Sequence, residues 1–279
     1  MPSAADTDPD LGPRPAVPTS LHSETRGTGP RVVMAHGFTQ TGRVWGSMDE
    51  NLERDHQIVL VDMPGHGGSS DVSSTLVDGA LQLARVGGRA TYLGYSMGAR
   101  FCLHLALALP AAVDGLVLIS GTAGIDDRSE RLDRQRADAA MASELDPLDD
   151  RVDALPVEAF LGRWMSAPMF AGVGPEADGL DERRRNTGPG LASSLRRAGT
   201  GTQLPLWDKV GRLTMPVLVV TGALDEKFTA LGRRLVGEIG ANATHVVVPD
   251  SGHAPHLQSP DSVAELVRRF VGSAAVARS

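Results

Sequence analysis

The chain has 279 residues, is 41% hydrophobic and carries a formal charge of −7, so it can bury a sizeable core. The acidic balance, with no Lys/Arg run beyond short clusters such as "DERRRN", argues against a nucleic-acid partner. No apolar run reaches membrane length and no charged-then-apolar leader stands at the start, so neither a membrane span nor secretion is expected and the assignment is cytoplasmic. The single cysteine, Cys102, cannot close an internal disulfide; in the apolar pattern "RFCLHLAL" it reads as a small buried hydrophobe.

In chain order, residues 1–29 are dominated by Pro, Ala, Ser, Asp and Gly with no apolar period, and are expected to form a disordered tail. From residue 30 to 121 short β-branched runs alternate with helical patterns. "RVVMAHG", "QIVLVDM", "ATYLGYS" and "GLVLISG" are predicted strands, and "PVLVVTG" and "HVVVPDS" continue the series within 209–279. Their continuous rather than alternating apolar character fits strands covered on both faces. Helical stretches such as "SMGARFCLHLALALP" and the closing "SPDSVAELVRRFVGSAA" separate them, which predicts an α/β fold with a mostly parallel sheet and helices on both faces. One interval breaks the rhythm. Residues 122–208 hold helical stretches near 128–144, 155–167 and 190–198 and no convincing strand, too long for a connection, and read as a helical cap inserted over the ligand-binding ends of the sheet.

The segment "GYSMG" sets Ser96 between two glycines where a strand gives way to a helix. A helix N-cap serine needs no second glycine and no preceding strand. A nucleophile elbow needs both, because the turn is so tight that only small residues fit two places to either side. Such a serine works through an imidazole held by an acid, following in the order acid then histidine. "VLVVTGALDEKF" delivers Asp225 beyond a strand, and "HVVVPDSGHAPH" delivers His253 beyond the last one. Asp250 and Asp62 compete as acids, although the first fits a turn and the second a brace for "PGHGGS"; His256 is the rival imidazole. "MAHGFTQ" turns at Gly37, so the backbone NH groups of Phe38 and Met97 can form an oxyanion hole. Arg100 lies four residues after Ser96, on the same helix face one turn along, where a guanidinium can fork onto a carboxylate.

Through "HGF", "DMPGHGGS", "GYSMG", "GALDEKF" and "SGHAPH" the sequence resembles the α/β-hydrolase superfamily over residues 31–272. Within it, "GYSMGAR", "RLDRQRAD", "FLGRWMSAPMF" and "RRRNTGPGLASSLRRAGTGTQLPLW" resemble the 2-succinyl-6-hydroxy-2,4-cyclohexadiene-1-carboxylate synthases of menaquinone biosynthesis, with Pro189 and Pro205 each one place later than in that pattern. The resemblance implies an α/β-hydrolase fold and a lyase that eliminates pyruvate from a small anionic polycarboxylate, with Ser96 a general base rather than an acylating nucleophile and with no metal or organic cofactor. It also implies that Tyr95, Arg100, Arg134, Trp164 and Arg183 bind substrate, the choice among Arg183, Arg184 and Arg185 being open. Two alternatives stand beside it. One is a carboxylesterase, thioesterase or carbon-carbon bond hydrolase using the same triad; the other is a noncatalytic binding module.

Overall fold

The continuous apolar strands divide their side chains between two faces of one sheet, and each face finds helices to cover it. The computed structural model describes residues 20–146, 155–174, 177 and 179–276. Seven strands lie in these residues: β1 (Ser23–Arg26), β2 (Arg31–Ala35), β3 (Gln57–Val61), β4 (Ala90–Tyr95), β5 (Val113–Ile119), β6 (Val217–Gly222) and β7 (Ala243–Val248). Their spatial order is β1-β3-β2-β4-β5-β6-β7, parallel throughout except for β1, which runs antiparallel to β3.

Alternation along the strands explains the runs. Val33, Ala35, Tyr92, Leu116, Leu118, Val217 and Val219 enter a core shared with helices α2 (Leu76–Gly87), α3 (Met97–Ala108) and α8 (Glu226–Ile239). Val32, Met34, Leu93, Tyr95, Val117, Ile119 and Val220 enter the opposite core, closed by α1 (Met48–Glu53) and α10 (Pro260–Val276). Each fully buried Leu, Val or Ile side chain contributes roughly 1.5–3 kcal/mol. Cys102 is fully buried among them, and burial pushes its thiol pKa upward.

The edge strand β1 corrects the expectation of a loose tail through residue 29; residues 1–19 lie outside the described residues. "SETR" has no apolar signal because the strand is held by backbone pairing to β3 and by ion pairs of Glu24 with Arg26 and Arg43. Just before it, His22 meets Asp62 at 3.0 Å, and Asp62 also accepts from the Gly42 and Gly68 amides at 2.7 Å each. Burial raises the Asp62 pKa, but the neighbouring His36 and these two amides outweigh it and hold the carboxyl below its usual range.

Between β5 and β6 run α4 (Arg128–Leu145), α5 (Leu155–Met165), α6 (Leu180–Arg183) and α7 (Gly188–Ala198). Asp127 caps α4 by accepting from Glu130 N, and Thr187 caps α7 by accepting from Gly190 N. Pro189 falls in the first turn of α7, where its missing N–H leaves no bond unmade. Ala142, Leu145, Phe160, Leu191 and Leu195 form an apolar cluster of their own.

After β7, the short α9 (Pro255–Gln258) carries His256 into the second core, fully buried 4.2 Å from the Tyr95 ring and 5.3 Å from Trp45. Neither ring nitrogen has a hydrogen-bond partner among the described residues. Burial, followed by the neighbouring Arg183 and His253, pushes its pKa down to about 3. Unfolded, the same ring takes a proton below about 6.5. Its contribution to stability is therefore complete above that value and is lost as pH falls from about 6.5 towards 3. Replacing His256 with Phe removes this proton linkage, so the variant's stability relative to its own value at pH 8 should be about 2 kcal/mol better than wild type's at pH 5. Denaturant titrations at the two pH values measure this, and parallel losses in both proteins would refute it.

Candidate active site

The turn at the end of β4 admits only glycine at two positions. A Cβ on Gly98 would stand 1.9 Å from the Ala35 carbonyl oxygen, and one on Gly94 would stand 2.5 Å from Ala99 N. Between them Ser96 takes φ 49°, a left-handed conformation costly for a side-chain-bearing residue, while its amide donates to Ile119 O at 2.9 Å. It stands at the N-cap position of α3, yet its side chain makes no capping bond. Ser96 Oγ instead meets His253 Nε2 at 3.1 Å.

His253 comes from the loop after β7 and is 1% exposed. Its Nδ1 meets Asp225 Oδ2 at 2.7 Å. The Phe228 ring lies edge-on 4.4 Å away, and Gly252 N donates to Gln258 Oε1 to hold the loop. Asp225 divides its carboxylate: Oδ1 accepts from Phe228 N at 3.1 Å, capping α8, and Oδ2 fixes the imidazole. One carboxylate thus anchors a helix and orients a ring. Asp250 is an exposed turn residue at φ 53°, and Asp62 is engaged with the loops beside β3.

The loop after β2 is braced by buried polar side chains. Gly37 N donates to Gln40 Oε1, His36 Nδ1 donates to Gly37 O, and His36 Nε2 accepts from Met63 N. His66 Nε2 accepts from Thr39 N, and its Nδ1 donates to Pro64 O. These acceptor roles require neutral rings, and burial, the largest cause, pushes the two pKa values down to about 4 for His36 and about 3 for His66. Thr39 itself sits at φ 68°, held by Arg183 on its hydroxyl and by Asn186 on its carbonyl. Among the described residues, the amides of Phe38 and Met97 donate to no protein acceptor. Both residues line the same cavity as Ser96.

That cavity measures about 790 Å³ and is walled by the ends of β4, β5 and β6 on one side and by α4, α5 and α7 on the other. Such a volume suits a small-molecule ligand. Arg100 lines it while being only 6% exposed, and donates to Ala198 O at 2.7 Å. Among the described residues it has no acidic ion-pair partner. Burial, then the neighbouring Arg134, lowers its pKa to about 10, so it stays charged at neutral pH. Arg134 also reaches the cavity but is tied to the buried Asp138 at 2.7 Å. Trp164 lines the cavity beside Phe38, ring centroids 5.2 Å apart, and its indole N–H has no partner among the described residues.

Two of the residues expected to bind substrate stand elsewhere. Tyr95 ends β4 with its side chain on the opposite face of the sheet, packed on His256 and His253 rather than lining the cavity. Arg183 is 1% exposed on α6 and grips the Thr39 loop from outside the cavity lining. Arg184 and Arg185 point outward to Glu158 and Glu182. The sequence reading missed Ser120, Lys227 and Arg234, which line the cavity, and Asn186, which braces Thr39. Lys227 had a signal in "GALDEKF", two residues after Asp225; the others had none beyond their place after a strand or on a helix.

Known proteins agree with this architecture. A Bacillus subtilis protein provisionally named 2-succinyl-6-hydroxy-2,4-cyclohexadiene-1-carboxylate synthase is 31% identical over 262 residues, 87% of this chain and 90% of its own length. The synthase of that name from Serratia proteamaculans is 29% identical over 252 residues, 87% of this chain and 93% of its own. Among solved structures, MenH from S. aureus superposes with a TM-score of 0.81 at 25% identity, covering 91% of this chain and 99% of that one. The sequence profile of the alpha/beta hydrolase family matches residues 32–266, from the first parallel strand into the last helix, and the chain belongs to that family.

Proposed function

We propose that this chain is a cytoplasmic carbon-oxygen lyase that eliminates pyruvate from 2-succinyl-5-enolpyruvoyl-6-hydroxy-3-cyclohexene-1-carboxylate, which would form the 2-succinyl-6-hydroxy-2,4-cyclohexadiene-1-carboxylate that its relatives are named for making. The observation that carries the reading is Arg100, a buried cation without an acidic partner among the described residues, opening on the same cavity as the Ser96–His253 hydrogen bond. A buried charge is costly unless paired, and a substrate carboxylate supplies the pair. Arg134 stands on the same cavity, with one of its donors already given to Asp138.

In this mechanism His253 Nε2 takes the Ser96 proton while its Nδ1–H remains bonded to Asp225. Ser96 Oγ removes the acidic ring proton. The electron pair moves into the ring, and the enolate-like oxygen is held by the Phe38 and Met97 amides. The ring C–O bond breaks with its electron pair, the enolpyruvate leaves, and the proton held by the relay returns to give pyruvate. The four helices between β5 and β6 act as a cap that keeps water from the developing charge. A hydrolase acting on a small carboxylated ester remains the second reading, because the left-handed backbone of Ser96 presents its hydroxyl equally well for attack.

The carboxylate of Asp225 sets the first prediction. In Asp225→Asn the amide oxygen can still cap α8, but the NH2 group donates to His253 Nδ1 and leaves a proton on Nε2, where it cannot accept from Ser96. Turnover should fall by about 10⁴ with folding intact. Circular dichroism beside steady-state rates reads both; near-native turnover would mean that the acid lies elsewhere.

For Arg100→Ala, kcat/KM on the anionic substrate should fall about ten- to a hundredfold, while cleavage of a neutral p-nitrophenyl ester loses much less. Equal loss on both substrates would make Arg100 a support of α3 rather than a carboxylate site.

Elimination is separated from hydrolysis by following pyruvate. Wild type should release it efficiently from the cyclohexene substrate, with no acyl-enzyme burst on activated esters, and Ser96→Ala should largely abolish the release. Rapid ester cleavage with pyruvate at only the spontaneous rate would replace the lyase with the hydrolase.

A further inference from the structure

Two serines at neighbouring strand ends share an unusual positive φ. Ser96 follows β4 at φ 49°, and Ser120 follows β5 at φ 47°. The strand ends are joined by the bond from Ser96 N to Ile119 O. For Ser96 the conformation has an evident use, since it aims the hydroxyl at His253. Ser120 has no such account within the protein. Its amide continues the sheet by donating to Val220 O at 2.9 Å, and Gly121 behind it lies so close to α3 that a Cβ there would meet Ala99 Cβ at 2.7 Å. The turn is therefore fixed, and with it the direction of the Ser120 Cα–Cβ bond.

That direction is the cavity. Ser120 lines it, is fully buried, and its Oγ has no hydrogen-bond partner among the described residues. Glycine would adopt this φ without strain, and alanine would fill the space without burying an unpaired hydroxyl. A serine is what neither backbone nor packing requires here. Strain and an orphaned polar atom coinciding on one cavity-facing residue point to a ligand contact.

The geometry points to Ser120 Oγ as a hydrogen-bond donor to a substrate oxygen, carboxylate or hydroxyl, that lies beside the Ser96 hydroxyl, making Ser120 a specificity residue for oxygenated anions over plain acyl groups. This rests on reading the cavity as the site of an oxygenated anionic substrate. The hydroxyl donates because an anionic ligand presents acceptors.

Succinate and malate, which differ by one hydroxyl, serve as unreactive probes in calorimetric titrations of wild type, Ser120→Ala and Ser120→Gly, with Tm recorded for each. Ser120→Ala keeps the strained backbone and removes the hydroxyl; Ser120→Gly removes both. Both variants should bind about tenfold more weakly, and Ser120→Gly should melt at or above Ser120→Ala. Weakening of both probes alike assigns the contact to a carboxylate oxygen, and weakening of malate alone assigns it to a hydroxyl. Wild-type affinities in both variants, or affinity falling together with Tm in both, would overturn the contact while leaving the lyase reading untouched. A wild type that binds neither probe and releases no pyruvate would overturn both. If wild type turns over the cyclohexene substrate without binding the probes, the KM of the variants decides: a rise of about tenfold supports the contact and an unchanged KM removes it.

Discussion

At the end of β4 the chain reverses into a helix within one residue, and the rest of the site is arranged around that reversal. The elbow exists because Gly98 passes within contact of the Ala35 carbonyl and Gly94 lies against the start of α3. A side chain at either place would push α3 away from β2. The left-handed backbone of Ser96, which costs roughly 1–3 kcal/mol, is sustained by the buried cores on either side of the sheet. With the elbow in place, the helix dipole and its first free amide face the cavity, and Arg100 arrives one turn further on. The next strand end repeats the positive φ at Ser120, so a half-buried and a fully buried serine border the same cavity.

Around this point the polar interior is divided by function. Neutral His36 and His66 accept backbone N–H groups and fix the loop that carries Phe38. Arg183 and Asn186 reach that loop from within the connection between β5 and β6, so the inserted helices shape the cavity wall and also hold a turn of the core. Asp225 couples the cap of α8 to the orientation of His253. Within this framework Arg100 is a buried cation on the cavity wall that has no ion-pair partner among the described residues, with Asp138 offsetting part of the cost of its burial. Ion pairs at the surface, such as Arg184 with Glu158, are screened by solvent and contribute little.

The parallel strands β2 to β6 were legible because both of their faces are buried and apolar, and the edge strand β7, half-exposed on its outer side, was legible from its β-branched run "VVV" alone. β1 was not, since "SETR" pairs through its backbone and carries no hydrophobic record. The order of Ser96, Asp225 and His253 along the chain was legible for a related reason. A parallel sheet returns every strand end to one edge, so residues placed just after strands converge there. His256, three residues beyond His253, shows the limit of that rule, because the turn of α9 buries its ring in the opposite core.

The sequence by itself determined which segments become the parallel strands, where the chain must turn tightly, and which serine, carboxylate and imidazole stand at strand ends, because glycine spacing and apolar runs are local constraints. Only the tertiary structure decided which side chains share the cavity. Tyr95 follows the two-residue alternation of β4 to the far face, while Arg183 is rotated inward by α6 and captured by Thr39 instead of lining the cavity. Ser120, a plain serine in the sequence, becomes a buried, unpartnered hydroxyl on the cavity wall. These outcomes depend on how a strand twists and how a short helix docks, distances fixed by contacts between residues far apart in the chain, 147 positions in the case of Asn186 and Thr39, which no local pattern records.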